Sequence, residues 1–132
     1  MHIARIFIRV ADPARHSDPA LKSFVTMVIA GDGLLLTIED IRIIRTEAGR
    51  LIVAWPNRKI RGVPDDRSIP VYLDDDRQPY WHRDTIHPTD DATRVHFAEA
   101  LIRAYWEAIR ARQMNYEKNL SDATPRPAAL AG

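Results

Sequence analysis

The sequence predicts an α+β domain, in which an antiparallel sheet of four to five strands is followed by one long C-terminal helix. Two patterns support this fold class. In the first half of the chain, short apolar segments alternate with turn-forming residues, as strands require. Near the end, apolar residues recur instead with helical spacing. With 132 residues, 45% of them hydrophobic, the chain has the size and composition of a single globular domain.

Four strands are expected to form an antiparallel meander. They are predicted over residues 4–10, 24–30, 34–45 and 50–55. Ile6 and Ile8 alternate with charged and aromatic neighbours, which indicates a half-buried first strand. Gly31-Asp32-Gly33 predicts a tight hairpin turn, because glycine reaches positive φ at no steric cost. Pro56 is expected to end the fourth strand, because it cannot donate to a ladder.

The third strand changes phase partway along its length. Leu36 and Ile38 share one parity, whereas Ile41 and Ile43 have the other. A bulge near Glu39-Asp40 would bring all four side chains to the core face.

The helix is predicted from about Asp90 to about Tyr116, with Thr89 or Asp90 as its N-cap. Its apolar arc is wider than one sheet face can cover, so a second copy of the chain is the expected partner and the protein a homodimer. The structured domain is expected to span residues 1–118. The remainder, 119–132, is rich in Ser, Thr, Pro and Ala and is predicted to be a disordered tail.

Composition limits the possible environment. The chain has no cysteine, which excludes disulfides and thiolate chemistry and is consistent with a reducing compartment. No apolar run is long enough for a membrane span, and no signal peptide is recognisable at residues 1–5. A cytoplasmic protein without a membrane partner is therefore expected.

The net charge of +1 indicates no partner, but the distribution of charge is uneven. Residues 42–61 contain six cations and one acid, whereas residues 62–92 contain eight acids and three arginines. A basic middle segment is thus followed by an acidic one.

Four segments, taken in order, resemble the SpoVG family of bacterial septation and sporulation regulators. Family members carry a D-I-R-V-I strand, an A-M-P-S-K-R-like loop, an R-D-I-x-H-P turn and a helix ending in an A-Y pair. The corresponding segments here are Asp40-Ile41-Arg42-Ile43-Ile44, Ala54 to Lys59, Arg83-Asp84-Thr85-Ile86-His87-Pro88 and Ala104-Tyr105. The resemblance covers roughly residues 23–110 and implies a nucleic-acid-binding homodimer in gene regulation. It also implies an insertion at about residues 60–82, in which 69–73 could form a short edge strand.

A basic loop is the main functional candidate. Arg58, Lys59 and Arg61 follow a strand closely, and Arg42 on the neighbouring strand could extend the patch. Such cations can contact the phosphates of DNA or RNA without being buried in the core. The resemblance maps the family's K-R pair onto Arg58 and Lys59, with the two cations in reversed order. The alternative is an ordinary solvated loop whose cations pair with the acids of the insertion.

The aromatic residues near this loop are interpreted as packing residues. Trp55 is expected to be a buried strand residue, although it could stack on a base. Tyr72, Tyr80, Trp81 and Tyr105 are likewise expected to pack and not to form a stacking platform.

Two other function classes remain open. A small metal-dependent nuclease could use Asp74, Asp76, Asp84 and His87, and a protein-interaction module could bind an acidic partner through the basic loop. His82 and His96 complete the possible metal ligands. Arg83 interrupts this group, and motifs such as G-x-S-x-G and H-E-x-x-H are absent. No metal, cofactor or catalytic residue is therefore expected.

Overall fold

Five antiparallel strands and one helix confirm the predicted α+β fold. The computed structural model describes residues 1–16 and 18–120. These residues divide into two units: Met1–Ala54 with the chain from Pro88 onward, and Trp55–His87. The elements in chain order are β1 (His2–Val10), β2 (Leu21–Gly31), β3 (Leu34–Arg45), β4 (Leu51–Ala54), β5 (Asn57–Arg61), β6 (Tyr72–Leu73), β7 (Pro79–Asp84), α1 (Asp91–Arg110) and β8 (Asn115–Asn119).

The first unit contains the sheet β4-β3-β2-β1-β8, with α1 packed against β1, β4 and β8. Its register places Ile6 opposite Met27, and Ile8 opposite Val25. Val25 in turn lies opposite Ile41, and all five side chains are buried. The predicted meander of the first four strands is therefore confirmed, and its alternating apolar residues form one side of the core.

The predicted bulge in β3 is confirmed. Val25 pairs with Ile41 and Met27 pairs with Ile38, so β3 advances one residue further than β2 over this interval. Asp40 supplies the extra residue with a φ of 64°. Aspartate is one of the few non-glycine residues that tolerates this left-handed conformation. The bulge keeps Ile38 and Ile41 both in the core.

Helix α1 begins as predicted, with Asp90 as its N-cap. The Thr93 amide donates to Asp90 Oδ1 at 2.7 Å, and the Thr93 hydroxyl donates to Oδ2 at 3.0 Å. The bond from the Thr93 amide makes the largest contribution to lowering the pKa of Asp90 below its ordinary value. Leu101, Ala104 and Ala108 are fully buried on the sheet side of the helix.

The predicted end of the helix is wrong, because α1 stops at Arg110 and not near Tyr116. Arg112 adopts a φ of 55°, and the Gln113 amide donates back to the Ala108 carbonyl, which turns the chain. The following residues form β8, which pairs with β1 at the sheet edge. Asn119 belongs to this strand, and the rest of the predicted disordered tail beyond Leu120 lies outside the described residues.

Glu107 links α1 to β8. Its carboxylate accepts from the Lys118 ammonium at 2.8 Å and from the Tyr116 hydroxyl at 3.1 Å. The hydrogen bond from Lys118 contributes most to holding the pKa of Glu107 below its ordinary value. Polar side chains on β8 thus have specific partners on the helix, although the strand lacks an apolar face.

The second unit is a three-stranded antiparallel sheet in the order β5-β7-β6. It includes residues 60–82, and its edge strand β6 lies within the segment expected to form one. No helix among the described residues combines the length and apolar composition needed to cross a membrane.

Candidate nucleic-acid interface

The predicted basic loop is a strand. Arg58, Lys59 and Arg61 all lie on β5, which pairs with β7 along its whole length. Pro56 interrupts the chain as expected, but its carbonyl accepts from the Thr85 amide at 2.7 Å and from the Thr85 hydroxyl at 3.1 Å. This contact brings the two segments together and starts a new ladder. Because the sequence of β5 has no apolar alternation, its pattern did not indicate a strand.

Strand geometry divides the three cations between two faces of the small sheet. Successive side chains of a strand point to opposite faces. Lys59 and Arg61 therefore lie on one face, opposite His82 and Tyr80 of β7. Arg58 lies on the other face, directly opposite Arg83. Two like charges at such a cross-strand position disfavour each other, unless an anion lies between them.

The cations of β5 are exposed and form no ion pair with a carboxylate among the residues that the structure describes. Among residues 1–16 and 18–120, the ion pairs join Arg5 to Glu117, Arg15 to Asp12 and Lys118 to Glu107. None of these pairs involves β5. The alternative in which the inserted acids neutralise the basic segment is therefore not what the structure shows.

Two of the acids in residues 60–82 stabilise turns instead. Asp74 Oδ1 accepts from the Asp76 amide at 2.9 Å and from the Gln78 amide at 2.8 Å, which closes the turn between β6 and β7. Asp66 accepts from both the hydroxyl and the amide of Ser68. The Ser68 hydroxyl contributes most to lowering the pKa of Asp66 below its ordinary value. These carboxylates serve the local backbone, as aspartate commonly does in turns.

An aromatic cluster lies on the same face as Lys59 and Arg61. The Tyr72 and Tyr80 rings are stacked, with centroids 5.6 Å apart and planes inclined by 29°. The His82 ring meets the Tyr72 ring at 5.7 Å and the Tyr80 ring at 5.6 Å. The Lys59 ammonium lies 4.1 Å from the centroid of Tyr80, within cation–π range. We call this group, with Arg61, the aromatic–basic face.

The expectation that the tyrosines are packing residues is met unevenly. Tyr105 is buried, and burial raises the pKa of its hydroxyl. Trp55 is buried as expected, but it lies between β4 and β5 and not within a strand. Tyr80 is half-buried, but Tyr72 is 47% exposed. The aromatic–basic face could not be predicted from the sequence. It depends on the pairing of Tyr72 with Tyr80 across β6 and β7, and no local sequence pattern specifies that these two strands pair.

Arg42 lies in the other unit of the chain. It lies on β3 in the first unit, where its guanidinium is 5.8 Å from the ring centroid of Phe24. Arg9 lies closer to the same ring, at 4.4 Å. Arg42 is exposed, and in the large sheet it is paired with Phe24 of β2 on one side and with Ala54 of β4 on the other.

The residues considered for a nuclease site do not gather. Asp74 and Asp76 lie in the turn before β7, whereas Asp84 ends that strand. The six residues of β7, from Pro79 to Asp84, span about 16 Å. The part of the chain that the structure describes holds no group of three or more His, Cys, Asp or Glu side chains that could bind a metal ion.

Helix α1 carries an apolar stripe that the fold leaves partly uncovered. Val95, Ile102, Trp106 and Ile109 follow one another at intervals of seven, four and three residues, so they share one side of the helix. Trp106 is 39% exposed and Val95 54% exposed. The prediction that the apolar arc exceeds what the sheet covers is therefore met within the described residues.

Comparison of this chain with protein-family models, with curated proteins and with solved structures found no match in any of the three.

Proposed function

We propose that this protein is a SpoVG-like regulator that binds DNA or RNA without catalysis and acts as a homodimer in the cytoplasm. The observation that carries the proposal is the charge of β5 and its partner strand. Together these strands contain four cations (Arg58, Lys59, Arg61 and Arg83) and one acid (Asp84). These four cations are exposed, and none forms an ion pair with a described carboxylate.

An exposed cluster of unpaired cations on a rigid ladder suits phosphate binding. The strands fix the spacing of the side chains, so the cost of ordering them is lower than on a mobile loop. Arginine can bind a phosphate through two parallel hydrogen bonds, and the Lys59 ammonium adds a point charge beside them. Arg58, Lys59 and Arg61 are therefore the proposed phosphate contacts. Arg42 would serve as a separate contact on the large sheet.

Dimerisation would follow from the apolar stripe on α1. A second copy that packs its own stripe against Trp106 would remove apolar surface from water in both chains. The dimer would carry two copies of the basic strand. Simultaneous binding of both copies to one nucleic acid would raise the overall affinity without any new contact.

A salt titration of nucleic-acid binding tests the proposal. Binding of the wild-type protein to labelled DNA and RNA is measured by fluorescence anisotropy, and again after Arg58, Lys59 and Arg61 are replaced together by glutamine. Because these residues are exposed, the melting temperature should change little. The affinity should fall for every sequence, and the dependence of log K on log salt should flatten by roughly 0.7–0.9 per lost phosphate contact.

A charge-matched control separates the site from the overall charge of the protein. Replacing Arg50, Arg67 and Arg103 by glutamine removes the same charge from exposed positions outside β5 and β7. The control variant should bind nearly as well as the wild type. Equal losses in the two triple variants, or no binding by the wild type, would contradict the proposed site.

A further inference from the structure

We propose that the aromatic–basic face selects unpaired nucleotides, so that the preferred ligand is single-stranded nucleic acid with a base stacked on Tyr72. This inference rests on the proposed function and specifies its substrate class. In this arrangement Lys59 and Arg61 contact the phosphates that flank the stacked base.

The geometry of the rings supports the proposal. Tyr80 lies on the central strand β7 and is held on one side by the Lys59 ammonium, at 4.1 Å from its centroid. Tyr72 lies on the edge strand β6 and stacks beside Tyr80 with a centroid distance of 5.6 Å. His82 meets both rings. The neighbouring rings therefore fix the orientation of Tyr72 before any ligand arrives, which reduces the cost of ordering it on binding.

The exposure of Tyr72 is the second observation. An edge strand of only two residues carries a tyrosine that is 47% exposed, although its ring already stacks on one neighbour. Tyr72 thus keeps about half of its surface accessible to a further planar group. A nucleobase is the planar group that the adjacent charges favour, because every unpaired base is linked to phosphates on both sides.

Charge complementarity distinguishes this ligand from other partners. Lys59 and Arg61 alternate along β5 on the same face as the rings, at the separation of about 7 Å expected for residues i and i+2 of a strand. That separation is close to the distance between successive phosphates of an extended nucleic-acid strand. The combination of stacking rings with a line of cations is typical of proteins that bind single strands.

Duplex nucleic acid offers a different surface. Its bases are stacked on one another and present only their edges in the grooves. A ring on a flat sheet can therefore stack only on a base that is unpaired. A duplex could still contact Lys59 and Arg61 through its phosphates, but Tyr72 would contribute nothing to that binding.

Replacement of Tyr72 tests the inference. Tyr72→Ala removes the ring, Tyr72→Leu keeps apolar bulk without a stacking surface, and Tyr72→Phe keeps the ring. Leu73→Ala is the matched control, because Leu73 is the next residue on β6, is exposed and lies on the opposite face. Each variant is titrated with labelled oligothymidylate and with its duplex with oligodeoxyadenylate, after its melting temperature has been checked.

The expected result is a loss specific to the single strand. The Ala and Leu variants should bind oligothymidylate roughly 5- to 150-fold more weakly, the equivalent of one lost base–aromatic stack. The Phe variant and the Leu73→Ala control should bind like the wild type, and affinity for the duplex should not change in any variant.

Three results would overturn the inference. If the Tyr72→Leu variant binds oligothymidylate as the wild type does, or if single strand and duplex weaken equally, base stacking is wrong while nucleic-acid binding stands. If the wild type binds neither nucleic acid, the proposed function fails together with the inference. If in that case polyglutamate binds in a manner that depends on Lys59, the partner is an acidic protein.

Discussion

If the proposed function holds, the two faces of the β5–β7 ladder should make separable contributions to nucleic-acid binding, and a pair of double variants can measure them. Lys59→Ala with Arg61→Ala removes two cations from the aromatic–basic face. Arg58→Ala with Arg83→Ala removes two cations from the opposite face of the same two strands. The change in net charge is the same in both variants, so a difference between them reports on the position of the ligand.

The magnitude follows from counterion release. A single strand on the aromatic–basic face places one phosphate near each of Lys59 and Arg61. Each lost contact flattens the slope of log K against log salt by about 0.7, so the first variant should lose about 1.4 in slope. A fourfold rise in salt would then cost the wild type about 7-fold more affinity than it costs this variant. The second variant should lose about half as much slope, because Arg58 is the only proposed phosphate contact that it removes, whereas Arg83 acts through its longer-range field.

The assay is fluorescence anisotropy with labelled oligothymidylate at several salt concentrations, with thermal melting as a check of folding. The second variant also relieves the close approach of Arg58 to Arg83, so its melting temperature should stay level or rise. A slope that flattens equally in the two variants would show that only net charge matters. A larger effect of Arg58 and Arg83 would place the ligand on the opposite face and contradict the prediction.

Three further predictions concern the dimer, the acidic turn and the last strand. Trp106→Glu should shift the protein from dimer to monomer in light scattering, with little change in melting temperature. A wild-type protein that is already monomeric would contradict dimerisation through the apolar stripe of α1. Replacing Asp75 and Asp76 by asparagine leaves the Asp74 turn cap in place and should strengthen nucleic-acid binding; weaker binding would show that these acids contribute contacts. Glu107→Gln should destabilise the fold by about 1 kcal/mol at neutral pH. The folded-state pKa of Glu107 lies below its ordinary value of 4.5, so its contribution to the free energy of unfolding is present above that pH. This contribution is lost as the pH falls through the folded-state pKa. The melting temperatures of the variant and the wild type should therefore converge in acid.

The elements with strong periodic patterns could be predicted from the sequence. Alternating or continuous apolar residues located β1 to β4, and the phase change between Ile38 and Ile41 located the bulge that Asp40 supplies. The N-cap was predictable because an aspartate precedes a helical repeat and can accept hydrogen bonds from the first turn. In each case the pattern that predicts the element lies within the element's own segment of the sequence.

Elements stabilised by distant partners could not be predicted in the same way. Strand β8 has no apolar alternation, and its inward side chains Tyr116 and Lys118 find their partner on Glu107 of the helix. The ladder between β5 and β7 likewise depends on a long-range hydrogen bond from Thr85 to the Pro56 carbonyl. For the candidate site, the basic residues were identifiable by charge alone. Their division between two faces, and the tyrosine cluster beside two of them, depended on a register that only the folded chain defines.

The position of β8 also has consequences for how the chain folds. β1 is synthesised well before β8, yet one of its two edges is covered only when Asn115–Asn119 pair with it. Contacts between residues so distant in sequence form late in folding, because the conformational entropy of the long intervening loop must be lost first. During synthesis, β1 therefore presents an open edge on which a second nascent chain could add a strand. The charged and amide side chains of β8 then close this edge with a polar border that discourages further strand addition. Truncation before Asn115 would leave this edge of β1 uncovered. It should therefore promote aggregation, even though the deleted strand is short and polar.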